Sequence, residues 1–270
     1  MKNIYILIIS LFLSLSFALF IYLDDYSVFS GGRMAWLHKD KEIKSRLLAI
    51  PILLYHNIDG KGPFSIDAKT LREHFQIIRD RGIRVIPLRE LIQRLEHPAP
   101  YRDKVIVITF DDGYGSMYTK LLPLAREFGY PITLFVYFDN ISLKSTKNLT
   151  WDRVRYMDRM GIDIQAHSIS HVDLTQLSKK NDPASRKSLF EEIYLSKRIL
   201  ELYIGKKVDF YAFPYGRYDL NTIDLTQKSG YRRVFSTDYG SNIITRDNFC
   251  LRRQHIKSSY SLNYIDNLIR

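Results

Sequence analysis

Apolar residues beyond about residue 49 follow two alternating patterns along the chain. Short, nearly continuous apolar segments such as 104–110 (KVIVITF) are typical of buried strands, whereas Leu71, Phe75 and Ile78 have the spacing of one helix face. The repeated alternation predicts parallel strands covered by helices, in an α/β barrel or an open α/β sheet. The predicted strands are 49–56, 83–88, 104–110, 131–138, 161–168, 208–216 and 231–237, and the predicted helices are 68–81, 117–128, 151–160, 189–203 and 220–229.

The N-terminal segment has a different pattern. Residues 4–23 are almost wholly apolar and carry no charge, and Lys2 precedes them. A run of this length can span the hydrocarbon layer as a helix, and no convincing small-residue cleavage site follows it. We therefore predict a membrane anchor over 1–23, favoured over a cleaved signal peptide, a stalk over 24–48, and one domain over 49–270 on the exported side.

Charge and cysteine content narrow the classes of partner. The chain has 40 Lys and Arg against 29 Asp and Glu, a formal net charge of +11, and Cys250 is its one cysteine. A basic surface favours anionic surroundings such as phospholipid headgroups or wall polymers. Nucleic acid is the least supported partner, because the chain has no zinc-finger spacing and no recognisable RNA-binding signature. A single cysteine excludes an intramolecular disulfide.

Candidate functional residues lie at or just beyond the carboxyl ends of four of the predicted strands. They are His56, then Asp111 and Asp112, then His167 and His171, and finally Pro214 and Tyr215. The carboxyl ends of parallel strands meet at one edge of a barrel, where active sites are built. Two histidines and one aspartate can hold a divalent metal with positions left open, while a second carboxylate and a further histidine can move protons. The pattern predicts a metal-dependent hydrolase site.

The spacing of these residues resembles a known family. TFDDG at Thr109–Gly113, His-x-x-x-His at His167–His171 and the turn Pro214–Gly216 are similar to the successive motifs of the polysaccharide deacetylases, carbohydrate esterase family four. The resemblance extends over about residues 50–256. It implies a distorted (β/α) barrel and removal of N-acetyl groups from a polysaccharide.

The resemblance also implies individual roles. Asp111 would be the general base, and the Tyr215 backbone N–H, in the turn after Pro214, would stabilise the oxyanion while the tyrosine ring lines the pocket. The ion is commonly Zn²⁺ in the family, and Co²⁺ or Ni²⁺ in some members. The implied metal ligands are Asp112, His167 and His171.

Two departures from the common family pattern point to one branch. Most members have an arginine at the position of Ala212, where it orients the base, and an acid histidine in a late Leu-x-His motif. The branch acting on poly-N-acetylglucosamine exopolysaccharides resembles a permuted version that lacks this arginine and has the acid histidine early. We therefore interpret His56 as the general acid, with His255 as the competing candidate. Arg252 or Arg253 is a candidate replacement for the missing arginine.

Other functions and residues are less well supported. The substrate could instead be peptidoglycan, a chitin-like oligomer or acetylated xylan. A catalytically silent glycan-binding module would be expected to have lost part of the metal site, and a two-carboxylate glycosidase would not need the histidine pair. His38, His74 and His97 lie in polar contexts and are predicted to be at the surface, and 177–188 is predicted to be an exposed loop.

Overall fold

The computed structural model describes residues 49–97, 99, 101, 103–141, 147–180, 182–240, 242–243 and 249–269. They belong to one compact unit, Arg46–Arg270. The predicted anchor over 1–23 and the predicted stalk over 24–48 lie outside the described residues. Within the described part of the chain, no helix is long and apolar enough to cross a membrane.

Strands and helices alternate along the described chain, as the hydrophobic pattern predicts. The strands are β1 (Ala49–Ile50), β2 (Ile52–Tyr55), β3 (Arg84–Val85), β4 (Val105–Phe110), β5 (Ile132–Val136), β6 (Asp163–Ala166), β7 (Phe210–Ala212), β8 (Arg233–Phe235), β9 (Asn242–Ile243), β10 (Cys250–Leu251) and β11 (Gln254–His255). The helices are α1 (Ala68–Asp80), α2 (Leu88–Glu96), α3 (Leu122–Phe128), α4 (Trp151–Arg159), α5 (Leu174–Lys180), α6 (Pro183–Phe190), α7 (Ser196–Ile204), α8 (Leu220–Lys228) and α9 (Leu262–Leu268). Two π-helical turns, Met117–Leu121 and Glu191–Leu195, directly precede α3 and α7.

The main sheet is parallel and curls towards closure. Its strand order is β10-β8-β7-β6-β5-β4-β2-β11, with β3 beside β4. The edge strands β10 and β11 are separated in sequence by Arg252 and Arg253 alone, and three Cα–Cα steps span at most about 11 Å. The two ends of the sheet therefore lie close together. This arrangement confirms the predicted parallel α/β fold and is consistent with a distorted (β/α) barrel.

Alternate residues of β4 face opposite sides of the sheet. Val105 and Val107 pack with residues of β2, β5, β7, β8 and β10 in one cluster, whereas Ile106, Ile108 and Phe110 belong to the larger second cluster. Leu88, Leu91, Ile92 and Leu95 of α2 join the first cluster. Since side chains alternate with a period of two, Thr109 and Asp111 continue the row of Val105 and Val107 towards the carboxyl end. The row changes from apolar to polar where the site begins.

Three sequence-based predictions were wrong. The segment 177–188 forms the end of α5 and most of α6 instead of a loop, because the Asp182 side chain accepts the Ser185 N–H at 2.9 Å and Pro183 occupies the first turn. The strand predicted over 83–88 ends at Val85, since Pro87 caps α2. His74 is buried, with its Nδ1 3.1 Å from the Tyr55 hydroxyl, whereas His97 is exposed as predicted and His38 lies outside the described residues.

The burial of His74 should make stability depend on pH. Burial lowers its pKa from 6.5 to about 4, so the folded state resists protonation and loses stability as the pH falls from 6.5 towards 4. When the pH is lowered from about 7.5 to about 5, we expect the unfolding free energy of His74→Gln to fall by about 2 kcal/mol less than that of the parent chain. Urea unfolding at both pH values measures the difference. His97→Gln is the control and should leave the difference unchanged; an equal effect of both variants would refute the assignment.

Candidate metal centre

A cleft opens at the carboxyl edge of the parallel strands. Its volume is about 560 Å³. His56 follows β2, Asp111 and Asp112 follow β4, and His167 and His171 follow β6. These five residues line the cleft together with Tyr215, Phe64, Tyr114, Thr237 and His255, among others. The parallel strand ends thus bring the sequence-predicted side chains into one place, while Pro214 lies buried within the turn that carries Tyr215.

Asp112, His167 and His171 form a group that could hold a metal ion. Asp112 Oδ1 lies 3.6 Å from His167 Nε2 and 3.4 Å from His171 Nε2, and the two Nε2 atoms are 3.2 Å apart. Tetrahedral coordination with bonds of about 2.1 Å places ligand atoms about 3.4 Å from one another. Asp112 Oδ1 is buried and has no hydrogen-bond partner among the described residues. Donor types and spacing therefore fit a divalent transition metal.

A hydrogen bond fixes the orientation of the His167 ring. Its Nδ1 lies 2.8 Å from the carbonyl oxygen of Ala212, which can only accept. The Nδ1–H must be the donor, so in the neutral ring Nε2 carries the free lone pair. Ala212 stands where most members of the similar family have arginine, and here its backbone carbonyl orients a candidate ligand.

Strained backbone is concentrated at this site. Among the described residues, the non-glycine residues with positive φ are Asp112 (81°), Ser168 (84°), His171 (59°) and Tyr215 (58°). Such conformations cost energy and persist where the surroundings enforce them, commonly at functional sites. Two candidate metal ligands and the candidate oxyanion residue are therefore held in geometries that the chain would not adopt by itself.

Asp111 pairs with Arg253, and its Oδ2 also lies 3.7 Å from His167 Nε2. The Arg253 Nη1 and Nη2 atoms donate to Asp111 Oδ1 and Oδ2, both at 2.7 Å, and both side chains are almost fully buried. Burial raises the pKa of Asp111, but the charges of Arg253 and His167 outweigh it, so the pKa lies below its ordinary value. Of the two arginines that the sequence offered as partners of Asp111, Arg253 therefore makes the contact, whereas Arg252 is exposed.

His56 and His255 lie side by side in the cleft. Their ring centroids are 4.7 Å apart and nearly parallel, and the Phe64 ring stacks on His255 at 4.2 Å. Burial lowers the pKa of His56, against the opposing charges of Asp112 and Asp111, and burial lowers the pKa of His255 to about 3. His56 follows β2, the direct neighbour of β4, whereas His255 belongs to β11, one strand further away.

The turn Pro214–Gly216 supports the wall opposite these rings. The Tyr215 ring is 58% exposed and meets the His171 ring edge-to-face, with centroids 4.7 Å apart. A Cβ at Gly216 would lie 2.1 Å from Thr237 Oγ1, and the φ of Gly216 is 67°. Only glycine fits at position 216 of this turn, because Thr237, which follows β8, lies so close to it.

Some residues of the site were not found in the sequence. Phe64, Tyr114 and Thr237 line the cleft, but none of them was predicted as a site residue, although Tyr114 directly follows TFDDG and Phe64 lies in PFSI (63–66), a segment similar to the exopolysaccharide branch. Glu192, whose carboxylate contacts the loop between His167 and His171, is one of many glutamates in helical segments. Arg253 could be predicted as a candidate from the sequence. Most members of the similar family have a base-orienting arginine at the position of Ala212, so another arginine had to replace it.

The described geometry agrees with comparisons against known proteins. Residues 99–234 match the family model described as polysaccharide deacetylase. YxkH of Bacillus subtilis (strain 168), provisionally named a polysaccharide deacetylase, is 26% identical over 227 residues, which cover 84% of this chain and 76% of that protein.

Two further comparisons concern one curated relative and one solved structure. The poly-beta-1,6-N-acetyl-D-glucosamine N-deacetylase of Escherichia coli (strain K12) is 22% identical over 69% of this chain, which spans only 33% of that protein's length. The structure of the Streptococcus pyogenes deacetylase PplD in complex with acetate has a TM-score of 0.73 at 22% identity, covering 83% of this chain and 99% of that chain. The latter similarity shows a common fold.

Removing Arg253 should leave a buried carboxylate without its ion-pair partner. We expect Arg253→Met to lower the unfolding free energy by about 3–5 kcal/mol, because Asp111 then loses the guanidinium charge and both hydrogen bonds that Arg253 supplies. Adding Asp111→Asn should restore a large part of that loss. Urea unfolding of both single variants and the double variant gives the coupling energy. Arg252→Met is the matched control and should change stability by less than about 0.5 kcal/mol; a coupling energy near zero would contradict the pairing.

Proposed function

The chain belongs to the polysaccharide deacetylase family, and we propose that it removes N-acetyl groups from an N-acetylglucosamine-containing polysaccharide in a metal-dependent reaction. One observation carries this proposal. A ligand triad of Asp112, His167 and His171 lies in the same cleft as a separate carboxylate, Asp111, and a separate imidazole, His56. Metal-dependent hydrolysis of an amide uses a metal site, a proton acceptor and a proton donor together.

We propose Zn²⁺ as the ion, with Co²⁺ or Ni²⁺ as alternatives. The mixed nitrogen and oxygen donor set suits these transition metals better than Mg²⁺ or Ca²⁺, which prefer oxygen ligands. A divalent ion held by Asp112, His167 and His171 would supply Lewis acidity to the acetyl carbonyl and to a water molecule.

The side chains of this chain would move the protons. The Asp111 carboxylate, held by Arg253, accepts a proton from the water whose oxygen bonds to the acetyl carbon. The Tyr215 backbone N–H donates to the carbonyl oxygen as negative charge develops there. His56 in its protonated form gives a proton to the sugar nitrogen as the C–N bond breaks. Once the proton on Asp111 has passed to the products and His56 has been reprotonated from solvent, one amide and one water have become one acetate and one protonated amine.

The strand order favours His56 over His255 as the acid. β2 pairs directly with β4, so His56 and Asp111 leave adjacent strands. A donor must reach the leaving nitrogen while the base stays on the attacking water, which requires both groups around one reaction centre. His255 also lines the cleft but belongs to β11, one strand further from β4, and stacks against His56 and Phe64.

Several sources support the proposed polymer, poly-β-1,6-N-acetylglucosamine. The E. coli relative is named for that substrate, and the early acid histidine resembles the same branch. Peptidoglycan and chitin-like oligomers are the alternatives, because all would use the same acetamido chemistry. A catalytically silent glycan-binding module is less favoured, since Asp111, Asp112, His167 and His171 are all present around an open cleft.

Acetate release by the purified full-length chain tests the activity. We expect release from β-1,6-linked N-acetylglucosamine oligomers to stop with a chelator and to return with Zn²⁺ or Co²⁺. Asp111→Asn and His56→Ala should each lower kcat by about 10²–10⁴-fold, because each removes one proton-transfer group. His255→Ala should lower it by less than about 10-fold, and the exposed-residue control His97→Ala should not change it.

The other outcomes separate the alternatives. Full activity in His56→Ala with loss in His255→Ala would transfer the acid role to His255. Faster release from β-1,4-linked oligomers than from β-1,6-linked oligomers would favour a peptidoglycan-like or chitin-like substrate. No release from any acetylated glycan by a metal-loaded chain would favour the binding module.

We also propose that residues 1–23 anchor the chain with its catalytic domain outside the cytoplasm. The support is the uncharged apolar run over 4–23. Deleting residues 1–48 should move the protein from the membrane fraction to the soluble fraction and leave turnover of soluble oligomers unchanged. Fractionation and the acetate assay measure both effects, and a truncated chain that still sediments with membranes would disprove the anchor.

A further inference from the structure

A buried carboxylate stands behind the loop that joins the two candidate histidine ligands. Glu192 Oε2 accepts the backbone N–H groups of Ile169 at 2.9 Å and Ser170 at 3.0 Å. Its other oxygen, Oε1, accepts a short hydrogen bond from Ser170 Oγ. All three contacts fall on the residues between His167 and His171.

Glu192 is only 7% exposed, and no ion pair of the described residues includes it. Burying a carboxylate without a cation is costly unless hydrogen-bond donors replace the lost water. Here the replacing donors come from the ligand loop. Its neighbour Glu191 differs, because that side chain is 41% exposed and pairs with Lys187.

The position of Glu192 depends on an irregular turn. It lies in the π-helical turn Glu191–Leu195, which interrupts the helical segment between α6 and α7. Such π-bulges are rare overall, but many of those that occur lie at functional sites. They redirect side chains that a regular helix would place elsewhere.

Three other polar groups of the loop have partners elsewhere. Ser168 Oγ accepts the His171 N–H at 3.0 Å, while the Ser168 and Ile169 carbonyls accept the N–H groups of Phe138 and Asp139 at 3.2 and 2.8 Å. Glu192 supplies the partner for the Ile169 and Ser170 N–H groups. Without it, these two donors would stay unpaired or the loop would turn to reach water.

We propose that Glu192 is a positioning residue for the metal ligands, whose carboxylate holds residues 168–170 so that the rings of His167 and His171 both face Asp112. The strained φ angles of Ser168 and His171, 84° and 59°, need such an external restraint. This inference rests on the metal centre of the proposed function, but not on its substrate.

Two conservative variants separate contact from charge. Glu192→Gln removes the charge but can keep all contacts, since its amide oxygen can accept both N–H groups and its NH₂ can donate to Ser170 Oγ. Glu192→Asp keeps the charge but is one methylene too short to reach the loop. Glu191→Gln, on the same turn, is the matched control.

Metal affinity of the full-length chain is the readout, measured with Zn²⁺ against a chromophoric chelator and with the absorption spectrum of bound Co²⁺. We expect Glu192→Asp to weaken Zn²⁺ binding by about 10–100-fold and to alter the Co²⁺ spectrum, as loss of a supporting contact does. Glu192→Gln and Glu191→Gln should stay within about 3-fold of the parent chain, because the supporting contacts remain.

Parental affinity and spectrum in Glu192→Asp would overturn the proposal, and a loss confined to Glu192→Gln would point to charge alone, because Glu192→Asp keeps the charge. Equal losses in both variants would also overturn it, because Glu192→Gln keeps the contacts. Because no glycan is used, the result is independent of the deacetylase assay. Weak binding in Glu192→Asp together with no acetate release by the parent chain would uphold Glu192 and reject the substrate. A parent chain that binds neither ion would overturn the metal centre and the role of Glu192.

Discussion

The ion pair between Asp111 and Arg253 is the constraint that links the barrel to its site. Asp111 ends the interior row of β4, where its carboxylate is 2% exposed, and a buried charge needs a partner of opposite sign. Arg253 can reach it because the chain crosses from β10 to β11 at that point, bringing the two edges of the sheet together. Closure of the barrel and neutralisation of the Asp111 charge are therefore parts of one arrangement.

Two adjacent aspartates acquire different properties from this arrangement. Asp111 continues the strand direction, donates its N–H to the Tyr55 carbonyl at 3.0 Å and has both oxygens paired with Arg253. Asp112 has a φ of 81°, so the chain turns there and carries its carboxylate towards the two histidines. One oxygen of Asp112 lacks a hydrogen-bond partner in the described chain. Both aspartates approach His167, but only Asp111 is paired with Arg253 and only Asp112 also reaches His171, so neighbours in sequence have different partners.

Local patterns in the sequence predicted the parts of the fold that depend on local physics. The apolar run of β4 and the polar residues after β2, β4 and β6 identified the strands and the edge where the site lies. Contacts distant in sequence were not predictable in this way: Arg253 and Asp111 are 142 residues apart, and Arg252 was an equally good candidate. His74 looked polar in sequence but is buried beside Tyr55. In 177–188, Asp182 and Pro183 suggested a loop but in fact begin a helix.

The strained residues indicate what sets the geometry of the site. Positive φ at Asp112, Ser168, His171 and Tyr215 costs roughly 1–3 kcal/mol for each residue, which local sequence does not offset. The compensation comes from the surrounding contacts: Asn140 donates to the Asp112 carbonyl at 2.8 Å, Glu192 holds the loop of Ser168 and His171, and Thr237 packs on the turn of Tyr215. The ligand atoms lie 3.2–3.6 Å apart because the protein holds them there. We propose that a site built in this way would select an ion by fit, since rearranging the candidate ligands for a larger ion would break the contacts that offset the strain.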